Sequence, residues 1–271
     1  MNVNNLKTCV VFAVSIFDES RMFILHEFLS MFKQTFSDCN LYIGINYGTL
    51  TNVEQVIESY KLNAEIQRVT DINIYTGSDA SAYQAAISLL NRSKQPYDLY
   101  WFAHTKGAVN NRSYERNMYL TQLFGNRTHI ESMFKNNDQL GSYALRGVSR
   151  SAGQLQWATY NKDHEVDICL NSITNKLPYT HVNWSYIETM YVINKHSVET
   201  FLSLTTNLFY DTKIEEPCYF ETVFPWIATR CGYFPYIHQS DCFFGERNLN
   251  DITNDWIQSN NLNYLTKYLN L

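Results

Sequence analysis

The chain is poor in residues that break or staple a fold: its 271 residues include 10 glycines, 5 prolines and 6 cysteines. So little Gly and Pro excludes a collagen-like, low-complexity or linker-rich chain. The cysteines, Cys9, Cys39, Cys169, Cys218, Cys231 and Cys242, form no Cys-x-x-Cys pair. That argues against a zinc ribbon or a redox motif and fits scattered thiols in a reducing compartment. Charge is scarce too, at 17% of residues, where an average domain carries about 25%. Its balance is −5, so the basic footprint on which duplex nucleic acid binds is missing. No long apolar run exists: the stretch Cys9 to Ile16 has no basic leader and falls far short of the ~20 residues that span a bilayer. The expectation is a soluble, cytoplasmic protein with no transmembrane segment and no nucleic-acid partner. The sequons at Asn91, Asn111, Asn126 and Asn183 are no more than an Asn-rich chain produces by chance and say nothing about secretion.

Aromatic residues, by contrast, are abundant at 15%, with 20 Tyr, 16 Phe and 5 Trp. The apolar patterning predicts where most of them go. Thr8 to Phe17 reads as a strand buried on both faces. Ile24, Leu25, Phe28, Leu29 and Phe32 then make one helical stripe. Leu41 to Ile45 and Ala64 to Val69 read as further strands, separated by a helix with a capping box at Thr51 and Glu54. A small-residue helix runs from Ala80 to Leu90, and Leu99 to Ala103 is a fourth strand opening onto His104-Thr105-Lys106-Gly107. Alternation of strand and helix predicts an α/β fold with a mostly parallel sheet flanked by helices.

Helices are expected over Ser113–Phe124 and Thr128–Phe134, the second with a capping box at Thr128 and Glu131. Leu140–Leu145 and Thr189–Ile193 read as strands, with a helix over Ser197–Leu208. The spacing of Phe220, Val223, Phe224, Ile227 and Cys231 predicts a helix stopped at Gly232, and Tyr233–Ile237 a last strand. Ser149 to His181 is polar and aperiodic, a functional lid or binding loop with disorder as the alternative. With no repeat and no composition break, 1–271 reads as a single domain: a ligand-binding half over 1–107, a second half over 108–247, and an amphipathic helical tail over 248–271.

Ligands of open α/β sheets bind beyond the carboxyl ends of the strands. The polar residues there are Ser15 and Asp18, Asn46 and Tyr47, Asp71 with Asp79, and His104 with Lys106. The stretch Thr76 to Gly107 resembles the GT-A glycosyltransferases, which use nucleotide-sugar donors on a Rossmann-like half. It looks like that family's small-residue helix followed by the strand that delivers the diphosphate-binding motif. The runs WFAHTKG (101–107), HVNWSYIETMYVIN (181–194) and FETVFPWIATRCGYFP (220–235) are similar to glycosyltransferases of large viruses and of bacterial surface-polysaccharide loci. For a viral source, the compartment would be the host cytoplasm.

The resemblance implies a nucleotide-sugar donor, a UDP-sugar first among them, an oligosaccharide acceptor and inverting transfer. It implies donor contacts at Ala13, Ser15, Asp18, Asn46, Tyr47, Asp79, Tyr83, His104, Thr105 and Lys106. Several have plainer readings: Asp18 and Asp79 suit helix N-caps, and Tyr83 shares helical spacing with Ile87 and Leu90, as core residues do. One departure stands out. Family members hold a divalent metal with an Asp-x-Asp at the fourth strand's end, and this chain has no Asp-x-Asp. Neutralising a leaving diphosphate takes a metal or fixed cations. Lys106, with His104 if protonated, can fill that role; alternatively His104 ligates a metal with His238 or Asp241.

The acceptor hydroxyl needs a carboxylate to take its proton. The resemblance places that base before the last apolar helix, at Glu221, with Glu188 as second candidate. Pro225, lacking an N–H for the carbonyl of Glu221, predicts a bend or a helix start there. Trp157, Tyr160, Tyr179, Trp184 and Tyr186 fall where no periodicity demands burial and suit an acceptor platform, since aromatic faces pack against sugar C–H faces. Two alternatives stay open: a noncatalytic carbohydrate-binding protein, and a sugar-phosphate nucleotidyltransferase, which would want a Gly-rich basic loop where Val14–Ser20 offers none. Sequence alone is silent on oligomeric state.

Overall fold

The computed structural model describes residues 6–70, 79–107, 112–145, 147–151, 182–186, 189–205 and 219–237. The first half alternates strand and helix as the patterning predicts: β1 (Thr8–Val14), α1 (Met22–Thr35), β2 (Asn40–Ile45), α2 (Val53–Ser59), β3 (Ala64–Arg68), α3 (Ala80–Ser93) and β4 (Leu99–His104). Then come α4 (Ser113–Met118), α5 (Arg127–Asn136), β5 (Leu140–Ala144), β6 (Gly147–Ser151), β7 (Val182–Tyr186), β8 (Tyr191–Asn194), α6 (Lys195–Thr205), α7 (Tyr219–Arg230) and β9 (Phe234–Ile237).

Seven strands form one sheet in the order β3-β2-β1-β4-β8-β5-β9. The first four are mutually parallel, β8 runs antiparallel to both neighbours, and β5 pairs parallel with β9. This is the expected α/β fold, a mostly parallel Rossmann-like sheet with helices on both faces. A separate antiparallel ribbon joins β6 to β7, and α7 lies against β7.

Period-two alternation divides the strands' side chains between two apolar layers. Val10, Phe12, Val14, Leu41, Ile43, Trp101 and Ala103 pack with α1, α2 and α5. Cys9, Val11, Ala13, Tyr42, Tyr100 and Phe102 pack with α3, α6 and α7. The aromatic surplus fills both. Phe12 lies 5.1 Å from Phe32, and Phe36 lies 5.0 Å from Trp101; on the other face Phe102 stacks on Tyr191 at 5.1 Å and meets Phe224 at 4.9 Å. The small-residue helix closes on the sheet through a glycine. A Cβ on Gly44 would lie 1.7 Å from the Ala82 carbonyl oxygen, so backbone meets backbone there and no side chain fits.

Several sequence expectations are corrected. Neither capping box forms. Glu54 makes a two-pronged ion pair with Arg68 at 2.5 Å, and Glu131 accepts from Arg127 and Thr8; charge-assisted bonds to arginine outcompete a cap bond to a neutral N–H. The expected helix over Ser113–Phe124 ends at Met118 and continues as a π turn and a 3-10 turn. The polar stretch from Ser149 begins inside β6. Its remainder to His181 and the 248–271 tail lie outside the described residues, as does the rest of the helix expected to reach Leu208.

Candidate active site

From β1 the chain runs outward through β2 to β3, then returns to place β4 on the other side of β1. The crevice between the carboxyl ends of β1 and β4 is therefore the switch point at which doubly wound sheets bind ligands. Ser15 follows β1, Asn46 follows β2, and His104 closes β4.

These residues form one hydrogen-bonded chain. Ser81 donates to Asn46 Oδ1 at 2.7 Å, Asn46 Nδ2 donates to Ser15 Oγ at 3.1 Å, and Ser15 Oγ donates to Asp79 Oδ1 at 2.6 Å. Asp79 Oδ2 then faces His104 Nδ1 at 2.5 Å. Burial pushes the Asp79 carboxyl up, but the charge and hydrogen bond of His104, the Ser15 hydroxyl and the Lys106 charge outweigh it and hold Asp79 below the usual carboxylate range. Thr105 ties the two strand ends together: its hydroxyl accepts from Ser15 N at 2.9 Å and donates to Ser15 O at 3.2 Å. His104 Nε2 is buried and has no hydrogen-bond partner among the described residues.

Lys106 is also buried, on a tight turn in which its N–H reaches the His104 carbonyl at 2.8 Å and Gly107 takes φ +88°. Arg116 of α4, itself buried, pairs with Glu27 at 2.6 Å and reaches the Lys106 carbonyl at 3.5 Å. Among the described residues, the donor set at the β4 end offers no open metal-ligand cluster. One imidazole nitrogen faces Asp79, both Asp79 oxygens are engaged, a lysine stands alongside, and among the described residues no three His, Cys, Asp or Glu cluster. The alternative ligands His238 and Asp241 lie outside the described residues.

Of the remaining candidates, Ala13 lies within β1, paired with Gly44 and His104, and is wholly buried. Asp18 is exposed and accepts from Ser20 N at 2.8 Å, capping the turn before α1; that backbone bond lowers its pKa first of all, with the Ser20 side chain and Arg21 adding. Tyr47 is half-buried, and its N–H donates to Asn46 Oδ1. Tyr83 is buried in the α3 layer, and its hydroxyl donates to the Thr189 carbonyl at 2.6 Å. Its ring lies 6.5 Å from that of His104 and 5.3 Å from that of Phe220.

Glu221 sits half-buried in the first turn of α7. Burial pushes the Tyr83 hydroxyl up, and the charges of Asp79, Tyr191 and Glu221 add to it. The helix begins at Tyr219 and runs through Pro225; it does not start at the proline. Trp184 and Tyr186 fall on β7, while Glu188, Trp157, Tyr160, Tyr179 and Asp71 lie outside the described residues. Beside the site, Ser81, Gln67, Thr70, Gln84 and Asn91 line a groove of about 350 Å³ between β3 and α3.

Sequence reasoning missed Arg116 and Ser81; it joined His104 with Lys106 but not Asp79 with Ser15 and His104. The one available signal was Asp79 next to a helix start, and it pointed to a cap. Asp79 stands at the N-cap position but makes no side-chain cap bond.

No family model and no curated protein matches the chain. Among solved structures it is similar to a CMP-2-keto-3-deoxy-manno-octonic acid synthetase complexed with CTP, at 9% identity and a TM-score of 0.35, over 76% of this chain and 81% of that one. It is also similar to core-mannan synthase A from Aspergillus fumigatus in a Mn/GDP form, at 7% identity and a TM-score of 0.38, over 86% of this chain and 72% of that one.

Proposed function

We propose that the protein is a GT-A-type glycosyltransferase that moves a sugar, with inversion, from a nucleoside diphosphate sugar, UDP-sugars foremost, to a glycan hydroxyl. The observation that carries this reading is the convergence of Ser15, Asn46, Asp79, His104, Thr105 and Lys106 on the carboxyl ends of three adjacent parallel strands at the switch point. Lys106, as a fixed cation, and His104, as a hydrogen-bond donor, stand where the leaving diphosphate gathers charge, and groups fixed in advance stabilise that charge without reorganising. Asn46, Tyr47 and the groove beside Ser81 offer amides, a ring and hydroxyls to base and ribose, with Asp18 at the rim.

The base in this reading is Glu221. Its carboxylate takes the proton of the acceptor hydroxyl as that oxygen bonds to the anomeric carbon, and the bond from that carbon to the diphosphate oxygen breaks, its electron pair leaving with the diphosphate. Glu188 is the second candidate for this role. Trp157, Tyr160, Tyr179, Trp184 and Tyr186 form the acceptor platform, and the partners are the nucleotide sugar and an oligosaccharide.

A hydrolysis and transfer assay over UDP-, GDP- and dTDP-sugars, with manganese or with EDTA, tests the reading. Turnover of at least one donor is expected to persist in EDTA and to fall about 10²-fold or more in Lys106→Met. Glu221→Gln is expected to lose transfer by about 10²-fold or more while still binding nucleotide. A folded protein that turns over no donor overturns the enzyme reading, and unimpaired transfer by Glu221→Gln overturns that base.

A further inference from the structure

Asp79 occupies the N-cap position of α3 without capping it. An Asp cap contributes about 1 kcal/mol, yet both oxygens turn sideways, Oδ1 to the Ser15 hydroxyl and Oδ2 to His104 Nδ1. An ionised carboxylate only accepts hydrogen bonds. At 2.5 Å from it, Nδ1 carries a proton. The imidazole is thereby fixed in orientation, and Nε2 is the nitrogen left over, buried and without a partner among the described residues. Leaving a buried polar atom unpaired is unfavourable, and natural interiors rarely do so without a purpose.

We infer that Asp79 is a positioning residue for His104: by holding Nδ1 it turns Nε2 toward the donor diphosphate, so that when the nucleotide binds the ring takes up a second proton from solvent and its Nε2–H donates to a phosphate oxygen. The inference rests on the donor site proposed above. Ser15 and Asn46 extend the device. Their hydrogen bonds run across the ends of β1 and β2 to Ser81 on α3, so the register of the parallel strands sets where Asp79, and through it His104, can sit. A tie that merely fastened α3 to β4 would need no particular nitrogen to be protonated and would leave nucleotide affinity unchanged.

Two measurements on the full chain separate these roles. Long-range ¹H–¹⁵N correlation spectra, with the His104 signals assigned by their loss in His104→Gln, report which ring nitrogen carries a proton. Calorimetric titration with UDP, GDP and dTDP in EDTA reports affinity. A protonated Nδ1 is expected in the wild type. In Asp79→Asn, which keeps the shape but not the obligate acceptor, an altered His104 pattern and an affinity weakened about tenfold or more are expected. Ser15→Ala keeps the carboxylate and should weaken binding less, in the same direction; with the wild-type spectrum it decides the matter if Asp79→Asn does not fold. An unprotonated Nδ1 in the wild type, or unchanged affinity in folded variants, overturns the inference and leaves the donor site standing. A wild type that binds none of the three diphosphates overturns both.

Discussion

The two halves of the sheet are built differently. From β1 to β4 the strands are all parallel, and helices cover both faces of the buried apolar strands β1, β2 and β4, with β3 as the half-exposed edge. Beyond β4, β8 reverses direction, β5 and β9 follow with a register shift, and a two-stranded ribbon branches off. The first arrangement places several carboxyl-end loops side by side, which is what a ligand site needs. The second supplies α7 and Glu221 from another direction. The regular half presents the polar chain from Ser81 to His104, and the irregular half sets α7 beside it, with the Phe220 ring 5.3 Å from that of Tyr83.

The regular half is most sensitive at Gly44. Gly44→Val drives a side chain into the Ala82 backbone, and a loss of more than about 4 kcal/mol or failure to fold is expected in urea unfolding. In the irregular half Gly232 has open space but φ +86°, so Gly232→Ala should cost only about 1 kcal/mol. Phe102 on β4 touches Tyr191 and Phe224 and so couples the halves. Phe102→Ala should cost about 3–5 kcal/mol; a single unfolding transition with this loss is expected, and two separate transitions would mean that the halves fold independently.

A smaller effect is expected at Thr105. Thr105→Val leaves the buried Ser15 N–H unpaired and should cost about 1–3 kcal/mol in urea unfolding. The smallest effect is at Glu54. Hydrogen bonds from Arg68, against some desolvation, hold its carboxyl below the usual range. A depressed pKa contributes stability above the unfolded value of about 4.3 and loses it as pH falls through the folded value. The stability difference between wild type and Glu54→Gln should therefore shrink below about pH 4, by less than about 1 kcal/mol for a partly exposed pair.

How far each half can be read from sequence follows from the same contrast. The continuous run of β1 and the stripe of α1 are local patterns dictated by burial, so the first half is legible. β6 and β7 carry Ser149, Arg150, Asn183 and Ser185 and lack such a pattern; their pairing, Gly147 opposite Tyr186, is long-range. The residues of the site were visible at strand ends, but their partnerships were not. Asp79 and His104 are far apart in sequence and meet only because α3 crosses back over β1 and β2. Local preference assigned Asp79 to a cap and Glu54 and Glu131 to capping boxes; the fold brought His104 to Asp79 and Arg68 to Glu54, while Arg127, one turn earlier on the same helix, took Glu131.

In the proposed function a nucleotide sits at the carboxyl ends of β1, β2 and β4. Backbone amide shifts recorded during titration with UDP, GDP and dTDP test it most directly. Perturbations centred on Ser15, Asn46, Thr105 and Lys106, saturating in the presence of EDTA, are the expected result. No perturbation with any of the three, or perturbations confined to β5, β8 and β9, would contradict it.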